Sequence, residues 1–206
     1  MLRFAKIEVS KSEDVMLPMR PLRRVEVEAL MQLGHFEHER LELLDGSLVT
    51  IHPPINIHTI ITARIAAMLG RQLGAAWTVM QHCYLALDEH SMPEPDLVVV
   101  SLLRPLDPLA AAVPIRPPRD RSPAPLVVEV SDVTFHNDSI VKAMLYARAA
   151  IPTYWLIDLV QCMVRVHERP IGGRYTSIEE HGLEAVLTAR ELPAIALPVG
   201  EVLALV

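Results

Sequence analysis

The chain has 206 residues, 51% of them hydrophobic and 21% charged. That length supports a core burying roughly 70% of the unfolded surface without a disulfide or metal staple, and the composition excludes intrinsic disorder, which needs low hydrophobicity and high charge. The net charge of −6 excludes a broadly basic nucleic-acid-binding surface, so any contact with a polyanion must be local.

Residues 1–20 read as a lead-in and 21–206 as one domain. Arg3, Lys6, Glu8 and Lys11 leave no apolar centre for a signal peptide. No apolar run approaches the ~18 residues of a membrane-spanning helix. Cys83 and Cys162 lack metal-ligand spacing and read as reduced thiols inside strands of a cytoplasmic protein.

Leu22, Val25, Ala29, Leu30 and Leu33 recur at helical spacing, and Gly34 can end that helix. Asp45-Gly46 is a hairpin-turn signal, which makes 41–44 and 47–51 short strands. Pro53-Pro54 stop the second of them. A long helix follows over 56–73, with Asn56 as N-cap, Gly74 beyond its end, and Ile57, Ile60, Ile61, Ile65, Met68, Leu69 and Leu73 on one side. Thr78–Leu87 reads as a strand. Leu97–Val100 and Leu126–Val130 are continuous apolar runs, as in strands covered on both faces.

Residues 105–125 hold seven of the 17 prolines together with Arg116, Arg119 and Arg121, a composition that excludes helix and central strand. A helix is expected over 137–150, with Ile140, Val141, Met144 and Leu145 as its apolar positions. Tyr154–Asp158 and Met163–His167 read as a hairpin, with a further strand near Tyr175. The segment 182–206 alternates short apolar pieces with Pro193 and Pro198, and its Leu203-Ala204-Leu205 ending is expected to pack on the body.

Asp96 immediately precedes one apolar run and Glu129 lies inside another. A carboxylate in a buried strand is costly unless it is paired, protonated or bound to a cation. Two adjacent strands would bring both acids together, and hard carboxylate oxygens suit Mg²⁺ or Mn²⁺. Asp138, Lys142 and Tyr146 are spaced by four and share a helix face, from which Lys142 could reach the acids. The alternative is a buried Glu129–Lys142 ion pair without chemistry, with Asp96 a turn residue. Tyr146 and Trp155 read as packing residues. Histidines 35, 38, 82, 90, 136, 167 and 181 show no zinc-ligand spacing and read as surface or satisfied residues. No glycine-rich phosphate loop is present.

The series Leu41-Glu42-Leu43-Leu44-Asp45-Gly46, Pro53, His58, Pro95-Asp96-Leu97-Val98-Val99-Val100, Leu126-Val127-Val128-Glu129-Val130-Ser131, Asp138, Lys142, Tyr146 and Ile151-Pro152-Thr153-Tyr154-Trp155-Leu156-Ile157-Asp158 resembles the Uma-two family of restriction endonucleases, within the PD-(D/E)XK nuclease superfamily. The resemblance covers about residues 25–168. It implies an α/β fold, a central mixed sheet flanked by helices, with a metal-dependent phosphodiesterase site at one edge. Its metal-binding acids fall on Asp96 and Glu129, and an earlier acid on Glu42. The lysine usual two positions after the second acid is absent, since Ser131 stands there, and the family's lysine falls on Lys142. His58 matches a family histidine, which would orient a ligand or phosphate or else be a capped or core histidine. Ala150 and Thr153 depart from the glycine and glutamate of the pattern, which puts the local turn geometry in doubt.

The expected protein is therefore a cytoplasmic, Mg²⁺- or Mn²⁺-dependent endonuclease acting on DNA, with no membrane partner. It is expected to be a homodimer, the commonest closed assembly. Asp96, Glu129 and Glu42 would hold the metal and Lys142 would position the attacking water; the arginine-bearing loop would either meet phosphates or be a solvated crossover whose arginines keep it soluble. Two other readings stand beside this one: a catalytically silent dimeric module of the same fold, and a nuclease acting on RNA or a small phosphodiester.

Overall fold

In the computed structural model, residues 20–51, 55–102, 124–132 and 135–204 are described. Most of the lead-in and of the proline- and arginine-rich segment, with Arg116, Arg119 and Arg121, lies outside them. Among the described residues no helix is long and apolar enough to cross a membrane.

The chain runs α1 (Arg24–Gln32), β1 (Leu41–Leu44), β2 (Ser47–Thr50), α2 (Asn56–Gln72), β3 (Trp77–Gln81), β4 (Leu97–Ser101) and β5 (Leu126–Ser131). A π-helical stretch Asn137–Lys142 then passes into α3 (Ala143–Arg148). β6 (Thr153–Asp158), β7 (Met163–Ile171), β8 (Arg174–His181), β9 (Val186–Ala189), β10 (Leu192–Pro198) and α4 (Val199–Val202) complete it. The central sheet has six strands in the order β3-β4-β5-β6-β7-β8. Only β5 and β6 are parallel, and they need a crossover, which the π-helical stretch and α3 supply. β1–β2 and β9–β10 form separate hairpins.

The β1–β2 turn follows from its residues: Asp45 at φ +49 and Gly46 at φ +82 give the left-handed pair a tight hairpin needs. Gly34, at φ +80, follows α1 as expected. β4, β5 and β6 are almost wholly buried, as their unbroken apolar runs require. One core packs Ile61, Ile65 and Leu69 of α2 against Leu97, Leu126 and Val128, with β9, β10 and Leu203 closing that side. The opposite face holds Val98, Val127, Tyr146, Tyr154 and Leu156 beneath α3.

Several local expectations are corrected. The strand expected over Thr78–Leu87 ends at Gln81, where His82 turns to φ +48, so Cys83 lies beyond it. Cys162 sits in the β6–β7 turn at φ +50; both thiols are free and only partly buried. Asn56 is the first residue of α2 rather than its cap, which falls on Ile55. Ile60 is exposed, and in α1 only Val27 is fully buried while Val25 and Leu33 face outward. Ile140 and Met144, expected on a buried face, are 56% and 40% exposed.

A carboxylate and lysine cleft at the end of the sheet

β4 and β5 explain why the two strand acids meet. Leu97 pairs with Val128 in an antiparallel ladder, so the next step of the register sets Asp96 opposite Glu129. Directly opposed residues project from the same face of a sheet. The Asp96 N–H donates to Glu129 Oε2 at 3.4 Å, and the Val130 N–H donates to Asp96 Oδ2 at 2.8 Å.

Three further elements close on this pair. Glu42 reaches in from β1, where it is buried between Leu41 and Leu43, and its Oε1 accepts the Glu94 N–H at 2.8 Å. His58, in the first turn of α2, sets Nε2 3.1 Å from Asp96 Oδ2. Lys142 ends the π-helical stretch. Its Nζ lies 2.9 Å from Glu42 Oε1, 3.1 Å from Glu129 Oε1 and 3.5 Å from Asp138 Oδ1. A π-helix has a wider turn than an α-helix and is frequent at functional sites. Here it sets Asp138 and Lys142 side by side on the buried face. All five residues expected from the sequence line one cleft of about 350 Å³, with Asp138 among them. A separate hollow of about 400 Å³ between α2 and β3, lined by residues such as Ala63, Ala67, Gly70 and Trp77, holds no titratable side chain.

The charges shift one another. Burial drives the Glu129 carboxyl well above the usual range; neighbouring Asp96, Asp138 and Glu42 add to this, and Lys142 opposes it. Burial also raises Glu42, against the pull of Lys142. Burial acts to discharge Lys142, but Glu129, Glu42 and Asp138 outweigh it and raise the ammonium well above its ordinary value. At Asp96 burial is likewise overcome, by the hydrogen bond and charge of His58 and by the Val130 amide, so its pKa is lowered. His58 is raised by the same contact, against its own burial. One lysine therefore faces three carboxylates, and a fourth leans on a histidine.

Tyr146 matters more than its sequence reading allowed. Its hydroxyl donates to Glu129 Oε1 at 2.6 Å, the oxygen that Lys142 also contacts. Both donors therefore hold Oε1, and Oε2 is left toward Asp96. Arg40, His82 and Glu94 also line the cleft; His82 had read as a surface or satisfied residue, and neither Arg40 nor Glu94 was singled out from the sequence. No local pattern marks them: Arg40 precedes β1, His82 and Glu94 lie between β3 and β4, and contacts far apart in the chain bring them together.

Among the described residues no three His, Cys, Asp or Glu side chains form a ready metal-ligand cluster. The facing pair Asp96 and Glu129 still fits Mg²⁺, which is commonly held by one or two carboxylates and otherwise keeps its waters. The surplus of carboxylates over cations favours a divalent ion in the same place.

The sheet order and its flanking helices define a mixed α/β protein with a charged cleft at the end of the sheet. A solved structure titled as a putative nuclease belonging to DUF820, from Anabaena variabilis, aligns with a TM-score of 0.63 over 81% of this chain and 91% of that one, at 14% identity. The Uma2 family profile, described as "Putative restriction endonuclease", matches residues 27–200. The chain belongs to the Uma2, or Uma-two, family. No curated protein matches it.

Proposed function

We propose that this protein is a divalent-metal-dependent endonuclease that hydrolyses DNA phosphodiester bonds. The observation that carries the reading is the pairing of Asp96 and Glu129 across the β4–β5 ladder, with Lys142 Nζ 3.1 Å from Glu129. Asp96 and Glu129 would hold Mg²⁺ or Mn²⁺ directly, and Glu42, whose Oε1 is already engaged, through a water. The bound ion supplies positive charge for the scissile phosphate and lowers the pKa of water.

The chain's own groups do the rest. Lys142, held by Glu42, Glu129 and Asp138, would position the attacking water. Tyr146 and Lys142 together fix the Glu129 carboxylate. His58 holds Asp96 in the rotamer that faces Glu129. A homodimer suits a duplex with two strands, and exposed Ile140 and Met144 offer apolar surface that a second copy would cover.

The test is nicking of supercoiled plasmid and of oligonucleotides with Mn²⁺ or Mg²⁺. Cleavage by the wild type that disappears with chelator and in Asp96→Ala supports the reading. Cleavage unchanged in Asp96→Ala, or none with either metal, overturns it.

A further inference from the structure

A phosphodiester approaching the cleft meets Glu42, Glu94, Asp96, Glu129, Asp132 and Asp138 along its described lining. Repulsion opposes entry unless a cation faces the incoming anion. Lys142 is poorly placed for that, being only 7% exposed with Nζ shared among three carboxylates.

Arg40 is placed differently. It stands immediately before β1, lines the same cleft, and keeps 40% of its side chain exposed. Its Nη2 is paired with Oε1 of buried Glu94, whose own N–H is bonded to Glu42. A guanidinium has five N–H donors in a planar fork. Glu94 engages it through Nη2, and Nε and Nη1 have no partner among the described residues, so the group is anchored without being used up. His82 stands beside it. Nδ1 of His82 lies 3.4 Å from Arg40 Nη2 and 3.8 Å from Asp96 Oδ1, and its backbone is held at φ +48.

We infer that Arg40 and His82 form an anion subsite at the mouth of the cleft, which takes a phosphodiester phosphate of the nucleic acid and sets it beside Asp96. Glu94 is the positioning residue that fixes the guanidinium. This rests on the phosphodiester chemistry proposed above and adds where the backbone is gripped. It also reconciles an acidic chain with a polyanionic substrate: one anchored fork supplies the local contact.

The test is binding of a fluorescein-labelled duplex oligonucleotide in Ca²⁺, read by anisotropy across a salt series. Arg40→Gln should weaken binding about tenfold and make the dependence of log affinity on log salt shallower by roughly one. Arg40→Lys should keep the wild-type salt slope while losing part of the affinity, because charge remains and the fork does not. If Arg40→Gln fails to fold with Glu94 left unpaired, the double variant R40Q/E94Q keeps the pair neutral and should show the same loss. Wild-type affinity and slope in Arg40→Gln and in R40Q/E94Q would overturn the subsite while leaving the nuclease reading intact. A wild type that binds no duplex at any salt would overturn both.

Discussion

Two helices of this protein bury opposite kinds of surface. α2 follows the ordinary rule: Ile61, Ile65 and Leu69 are fully buried against the sheet. The π-helical stretch leading into α3 departs from it: Asp138 and Lys142 are 4% and 7% exposed, while Ile140 and Met144 are 56% and 40% exposed, even though α3 itself buries Leu145 and Tyr146. Hydrophobic burial alone cannot produce the second arrangement, because taking charges from water is expensive unless they are paired. What compensates is the pairing of Lys142 with Asp138 on the same stretch and with Glu42 of β1 and Glu129 of β5. The first helix is oriented by its core and the second by its site.

The largest effect should come from removing the charge that the second helix buries. Lys142→Met leaves Glu42, Glu129 and Asp138 without their shared cation, and breaking a buried pair costs about 3–5 kcal/mol. Ile65→Ala in α2 should cost about 2–5 kcal/mol by leaving a cavity. Urea melts separate the mechanisms. The Lys142→Met loss should shrink as pH falls and the raised acids Glu42 and Glu129 protonate, whereas the Ile65→Ala loss should not.

The layer beneath α3 offers a pH test. His167 stacks on Tyr154, with ring centroids 5.0 Å apart, and is 2% exposed. Burial holds its pKa down at about 4, against an ordinary value of 6.5. A depressed imidazole favours the folded state fully above the ordinary value, and that contribution disappears as pH falls from 6.5 toward 4. It reaches roughly 3 kcal/mol at most, at about 1.4 kcal/mol per pH unit. His167→Phe should therefore flatten the acid limb of a stability–pH profile over that interval; an unchanged limb would show that His167 does not carry it.

Smaller changes probe how the second helix ends and what faces out. Ala150 occupies the left-handed position after α3 at φ +55, and the Ile151 N–H reaches back to the Tyr146 carbonyl. Glycine suits that position, so Ala150→Gly should raise stability by about 1 kcal/mol in thermal melts. Ile140→Ser should change the monomer by less than about 0.5 kcal/mol. A loss above 2 kcal/mol there would mean that its side chain is covered, and sedimentation of the variant would show whether a second copy covers it.

The sequence was most readable where a single force decided the outcome. Asp45-Gly46 specified a hairpin by backbone geometry, and the unbroken runs at 97–100 and 126–130 specified buried strands. Asp96 and Glu129 stood out because a carboxylate there needs a reason. Over 137–148 the spacing of four was right, since Asp138, Lys142 and Tyr146 share the buried face with Leu145 beside them, but Ile140 and Met144 face outward because charge pairing took the place expected for apolar side chains. The strand reading failed at Cys83, because His82 turns the chain out of β3 and an apolar run does not reveal that bend. Tyr146 looked like packing because a ring on a buried face gives no sign of where its hydroxyl points. Arg40, His82 and Glu94 joined the cleft through contacts between residues as far as 54 positions apart, which local spacing cannot encode.

The central claim is that the buried charges beneath the second helix exist to hold a divalent ion between Asp96 and Glu129. Calorimetric titration of Mn²⁺ into the metal-free protein tests it most directly. The account predicts one site per chain, strongly weakened in Asp96→Ala and in Glu129→Gln. Absence of binding in the wild type, or equal binding in both variants, would contradict it.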